Sequence, residues 1–292
     1  MKNTRWLLAL GSFWLMSATH GQAVTGQGAQ GATTQGQARL PLFDAHMHYN
    51  VEARSLLSPN EVIALWRKEG IKGVLATSRP NQGTLDLMEA LRKENAQDIA
   101  IVPFLRPYRV QPDRHDWFKN PDIEKLIESE LKRGFYRGIG EFHLFGKDAD
   151  SPQVARMARM AQERGLWLHA HSDDDAIERL IRHAPSVRII WAHTGMSTPL
   201  EKVDRMFAAH PQLVGELSYR DLEGAGGLSA GWKALFLKYP DRFVIGTDTW
   251  VTSRWSEVSS LLAGYRRVLS DLPPPVAEKI AWRNGMRLFG LP

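Results

Sequence analysis

The sequence predicts a (β/α)8 barrel, the TIM-barrel class of α/β fold, with one extra helix at its C-terminus. Three observations carry this. Eight short apolar runs alternate with eight segments of helical period across residues 39–292. Successive run ends lie about 29 residues apart on average, close to the ~30 of one βαβ unit. The chain also places six of its ten histidines in the last few residues of those runs, where a barrel carries its chemistry. An open doubly wound sheet is the competing arrangement of the same elements.

The apolar runs, each of strand length, cover 40–48, 71–78, 99–105, 135–143, 166–171, 187–193, 213–218 and 242–249. Helical segments are read at 58–70, 83–97, 120–134, 151–165, 174–185, 199–211, 228–240 and 255–273. Several open on Ser, Asn or Asp, whose side chains can accept from the free N–H groups of a first turn, and most close on Gly or Pro. A last helix is expected at 273–290.

Before the barrel stand two segments of other kinds. Lys2 and Arg5 precede an apolar run from Trp6 to Ala18, and Gly21-Gln22-Ala23 then offers small residues for a signal peptidase. Residues 1–23 are therefore expected to be a secretory signal that sends the protein to the periplasm or outside the cell. The run is shorter than the roughly 20 apolar residues of a membrane span, so no stable membrane anchor is expected. Residues 24–38, rich in Gly and Gln and without charge, read as a flexible linker.

Composition narrows the chemistry. The chain has no Cys, which excludes disulfides, Cys-ligated metal centres and a thiol nucleophile. Its formal charge of +5 falls to +3 once Lys2 and Arg5 are cleaved off, too mild to expect nucleic acid as a partner. The surface leaves room for a homo-oligomer.

At the run ends the unusual residues converge. Strand one closes Asp44-Ala45-His46-Met47-His48, and strand alternation gives His46 and His48 one face, with Asp44 one layer deeper. Strand four closes on Glu141 and His143, strand five on His169 and His171, strand six on His193 and strand eight on Asp248. Each alone is more simply a hydrogen-bonded polar group. Together they need a cation or a dense network inside an apolar barrel, and imidazole with carboxylate is a donor set suited to Zn²⁺.

These motifs, with the terminal run Asn284-Gly285-Met286-Arg287-Leu288-Phe289, resemble the amidohydrolase superfamily, and within it the amidohydrolase 2 branch, over about 39–292. The resemblance implies one or two divalent ions, zinc expected, held by His46, His48, His171 and Asp248, with Glu141 and His193 completing a second site. His169 remains an alternative to His171. It also implies that Asp248 takes the proton of the attacking water and that His193 or a second metal stabilises the oxyanion.

Arg79, Arg106 and Arg220 follow strands two, three and seven and suit an anionic, carboxylated substrate. His143, His169 and Trp250 complete the expected substrate wall; Trp250 and Trp255, in the loop after strand eight, are read as walling an apolar part of the substrate or packing the loop. The activity expected is hydrolysis of an amide, lactone or ester. A decarboxylase or hydratase of the same branch, a TatD-like phosphoesterase and, least favoured, a ligand-binding barrel without turnover are the alternatives.

Overall fold

The structure, a computed structural model, describes residues 39–292; the expected signal and linker lie outside the described residues. Eight strands run in order around one parallel sheet: Leu42–Met47, Ile71–Ala76, Ala100–Leu105, Gly138–Leu144, Trp167–Ser172, Arg188–Trp191, Leu213–Glu216 and Phe243–Val244. The ring closes where the Ala45 N–H donates to Ile245 O at 2.8 Å and the Asp248 N–H to His46 O at 2.6 Å. This is the expected barrel.

Asp44 does not sit under the histidines as expected. It serves the same seam, accepting from the Thr247 N–H at 2.9 Å and the Thr247 hydroxyl at 2.6 Å. Burial lifts its carboxyl to about 6, so it trades solvation for a bond between the first and last strands.

The helices lie where the period placed them. Ser58 and Glu61 form a reciprocal cap on Pro59–Glu69, and Asn120, Ser151, Asp173 and Ser229 each accept from the first turn of a later helix. The longest, Thr252–Leu269, buries Trp255 edge-on against Tyr49 at 5.9 Å. Trp255 is thus a packing residue and not a substrate wall; its helix begins three residues earlier than read. The last helical stretch runs Pro274–Leu288 through a wider π turn at Lys279–Arg283. A two-residue ladder, Glu223–Gly224 with Gly227–Leu228, decorates the loop after strand seven.

Two apolar layers result. Outside the sheet, Trp66, Leu87, Ile177 and Phe207 pack helices on strands. Inside it, Phe43, Leu75, Phe104, Trp167 and Val244 fill the lower barrel, and Phe289 closes the amino end, 6.1 Å from Phe43 and 5.8 Å from both Phe104 and Trp167. Among the described residues no helix is long and apolar enough to cross a membrane.

Candidate metal centre

At the carboxyl end, local irregularities aim polar side chains inward. The strand one ladder shifts register between Asp44 and Met47, so the interior set changes from Phe43 and Ala45 to His46 and His48. Strand four shifts between Gly140 and Phe142, which lets Glu141 face in. Gly140 is required there: its φ is +132°, and a Cβ would lie 2.2 Å from His169 O. His193 and Asp248 hold left-handed backbones, φ 55° and 48°, conformations that cost non-glycine residues on the order of 1 kcal/mol or more and concentrate at functional sites.

Four donor groups then meet. His46 Nε2 lies 3.1 Å from His48 Nε2, and Asp248 Oδ1 lies 3.4 and 3.0 Å from these nitrogens. Glu141 approaches the same pair, Oε1 at 3.6 Å from His46 and Oε2 at 3.3 Å from His48. Donors bound at 2.0–2.2 Å to one tetrahedral ion stand about 3.3 Å apart. The spacing fits.

The outer nitrogens of the pair are engaged by the surrounding shell. His46 Nδ1 lies 2.9 Å from the Glu216 carboxylate, a pure acceptor, so that ring carries a proton on Nδ1, and His48 Nδ1 lies 2.5 Å from Thr77 O. Both Nε2 atoms therefore face each other and Asp248 Oδ1. Arg106 Nη1 also stands 2.5 Å from His48 Nδ1, but its Nη2 has an unambiguous partner in Glu141 Oε2 at 3.0 Å. Glu141, Glu216 and Asp248 outweigh that one guanidinium. Burial alone would lower His46, yet these carboxylates raise it well above the usual imidazole range. The field favours added positive charge, as a divalent cation would supply.

A second group adjoins the first. Glu141 Oε1 is 3.0 Å from His171 Nδ1 and 3.6 Å from His193 Nε2, and those two nitrogens are 3.1 Å apart. His171 is thus in this group. His169, fully buried one layer lower, has neither ring nitrogen hydrogen-bonded and meets His46 edge-on at 4.4 Å. His143 stacks on His171 at 4.3 Å, and burial depresses it to about 3, leaving it neutral.

A cavity of about 270 Å³ opens above these groups, lined by Arg79, Arg106, Tyr108, Arg114, His143, Met196, Tyr219 and Trp250 among others. Trp250, partly exposed, donates from Nε1 to the Tyr219 hydroxyl at 2.8 Å. Arg220 is a correction. Its guanidinium turns away, donating to the carbonyls of Met196 and Thr198 and lying 4.8 Å over Trp232, so it secures the loop after strand six and does not line the cavity.

Sequence reasoning passed over Glu216 on strand seven. Its Oε2 accepts from His46 Nδ1 at 2.9 Å, the His193 N–H at 3.0 Å and the Ser218 hydroxyl at 2.9 Å. A buried Glu at the end of an apolar run was the available signal, the same one that pointed to Glu141. Arg114 in the turn after strand three was also missed.

The amidohydrolase family model matches residues 116–291, beginning after the strand-one histidines. No curated protein matches the chain. Among solved structures, a candidate 2-pyrone-4,6-dicarboxylic acid hydrolase from Pseudomonas putida aligns at 17% identity over 86% of this chain and 98% of its own, with a TM-score of 0.58. A zinc-bound amidohydrolase from Burkholderia multivorans aligns at 17% identity over 86% of this chain and 100% of its own, TM-score 0.51. A TatD family hydrolase from Entamoeba histolytica aligns at 11% identity over 85% and 98%, TM-score 0.59. At such identities these structures speak for the fold alone. The family match covers more than half of the chain and agrees with the barrel and with the buried cluster at its mouth: the protein belongs to the amidohydrolase family, of the amidohydrolase 2 type, and is a metal-dependent hydrolase.

Proposed function

We propose that the protein hydrolyses a C–N or C–O bond, of an amide, lactone or ester, in a small carboxylated molecule. The supporting observation is the convergence of the side-chain donor atoms of His46, His48, Glu141 and Asp248 at 3.0–3.6 Å beneath an arginine-bearing cavity. Zinc is the proposed ion for these residues, and when bound it supplies Lewis acidity, acidifying water and polarising the scissile carbonyl.

The chain's own groups do the rest. Burial would raise the Asp248 carboxyl, but His46 and His48 hold it well below the usual range, so it is ionised at neutral pH. It accepts the proton of the attacking water and returns it to the leaving group. His193 is oriented by Ser218 O, 3.1 Å from its Nδ1. Burial would lower it, but bonding to Glu141 and the charge of Glu216 raise it above the ordinary histidine value, which suits Nε2–H for donation to the developing oxyanion. In a two-ion arrangement His193 would instead join Glu141 and His171 as a ligand. Metal analysis giving a ratio near two supports that version; a ratio near one supports the donor role.

Asp248→Asn keeps the shape and one oxygen but cannot accept a proton. Measured against a panel of lactones, amides and aryl esters, it should lower kcat about 10²–10⁴-fold while the protein stays folded and metal-loaded. Near-normal kcat would withdraw Asp248 from this role. Export to the periplasm or medium is part of the same proposal, supported by Lys2, Arg5, the apolar run 6–18 and Gly21-Gln22-Ala23. N-terminal sequencing from the native host should begin at Val24, and an intact Met1 would refute export by cleavage.

A further inference from the structure

A second cavity of about 280 Å³, lined by Arg114, His115, Phe118, His143, Leu144, Phe145 and Asp148, shares Arg114 and His143 with the first. Phe118, Leu144 and Phe145 give it an apolar side. Phe145 stands half exposed, its ring edge-on to His171 at 5.9 Å, so this cavity adjoins the candidate metal centre.

The cationic groups of the first cavity are not equivalent. Arg79 pairs with Glu52 and donates to Gln111, and Arg106 pairs with Glu141 at 3.0 Å. Arg114, half-buried at the junction of the two cavities, has no carboxylate partner among the described residues; its Nε donates to His115 Nε2 at 3.1 Å. An unpaired guanidinium keeps its donors for an incoming oxyanion, whereas a paired one must first give up an internal carboxylate. The one acid of the second cavity, Asp148, is exposed.

We propose that this second cavity is a subsite for an apolar, ring-sized arm of the substrate bearing an oxyanion, a carboxylate or a phosphate, and that Arg114 reads that charge. The inference rests on the first cavity being the substrate site and deepens that reading. It assigns Arg114 a specificity role and leaves the chemical step to the residues already described.

Calorimetric titration of the full, metal-loaded protein with 3-phenylpropionate, 3-phenylpropionamide and phenyl phosphate tests it. The acid or the phosphate should bind at least about tenfold more tightly than the amide, the effect of one charged hydrogen bond, and the tighter of the two identifies the oxyanion. Arg114→Gln should remove this preference without changing the melting temperature, and Phe145→Ser should weaken all three probes alike. Equal binding of acid, phosphate and amide, or no binding of any, overturns the proposal. So does a preference that survives Arg114→Gln, because the charge would then be read by the metal or by Arg79. The readout is equilibrium affinity and not a rate, so its outcome is separate from that of the Asp248→Asn kinetics.

Discussion

The two ends of the barrel handle buried polarity in opposite ways. At the amino end, Glu69 is inaccessible but satisfied: it accepts from Arg39 at 2.5 Å and from the Ser259 hydroxyl at 2.7 Å, with Arg266 at 3.8 Å. Arg242 there donates to the carbonyls of Phe207, His210 and Leu213, and Phe289 seals the space between. At the carboxyl end, His46, His48 and Asp248 are as deeply buried, yet the two Nε2 atoms and Asp248 Oδ1 are turned on one another. A cluster of imidazoles and carboxylates crowded together in this way is what an added cation would complete. One end is for stability and the other for chemistry.

If that division holds, variants at the two ends should separate stability from metal binding. The largest effect is expected from Phe289→Ala, which opens a cavity under three aromatic rings and should cost about 3–5 kcal/mol in denaturant unfolding. Metal content per folded molecule should not change. Loss of metal in step with stability would show that the plug also shapes the upper site.

Glu216→Gln comes next, at the opposite end. The carboxylate accepts from His46, the His193 N–H and both donors of Ser218, and an amide must turn its NH₂ towards some of them. Metal affinity should fall about 10–100-fold, with the fold intact by circular dichroism. An unchanged affinity would remove Glu216 from the support of the centre.

Glu69→Gln should act least and only on stability. Burial would raise the Glu69 carboxyl, but bonds from Ser259 and Arg39 and the charges of Arg39 and Arg266 hold it below the ordinary value of 4.5. A depressed acid contributes stability above its unfolded pKa and loses it as pH falls through its folded pKa. Because Arg39 is half exposed, the deficit of the variant at pH 7 should be about 1 kcal/mol. It should close as the solution is acidified below pH 4.5. A gap constant from pH 7 to 3 would mean that the charge of Glu69 contributes nothing.

Much of this molecule was legible in its sequence, because strand and helix periods are local and the spacing of the apolar runs repeats one supersecondary unit. The clustering of histidines at run ends was legible for the same reason: parallel strands in a closed ring bring all their carboxyl ends to one mouth. What a side chain does beyond the strand end was settled only in three dimensions. Tyr219 adopts φ 58°, and beyond it Arg220 engages the carbonyls of Met196 and Thr198 instead of the cavity. Register shifts beside Asp44 and Gly140 decide which residues face in, sending Asp44 to the seam and Glu141 to the centre. Glu216 is partnered by His46, 170 positions away, and no local pattern encodes that distance. Periodicity follows from the chain's own stereochemistry, whereas the direction of a loop side chain depends on left-handed backbone angles and partners that only the closed barrel supplies.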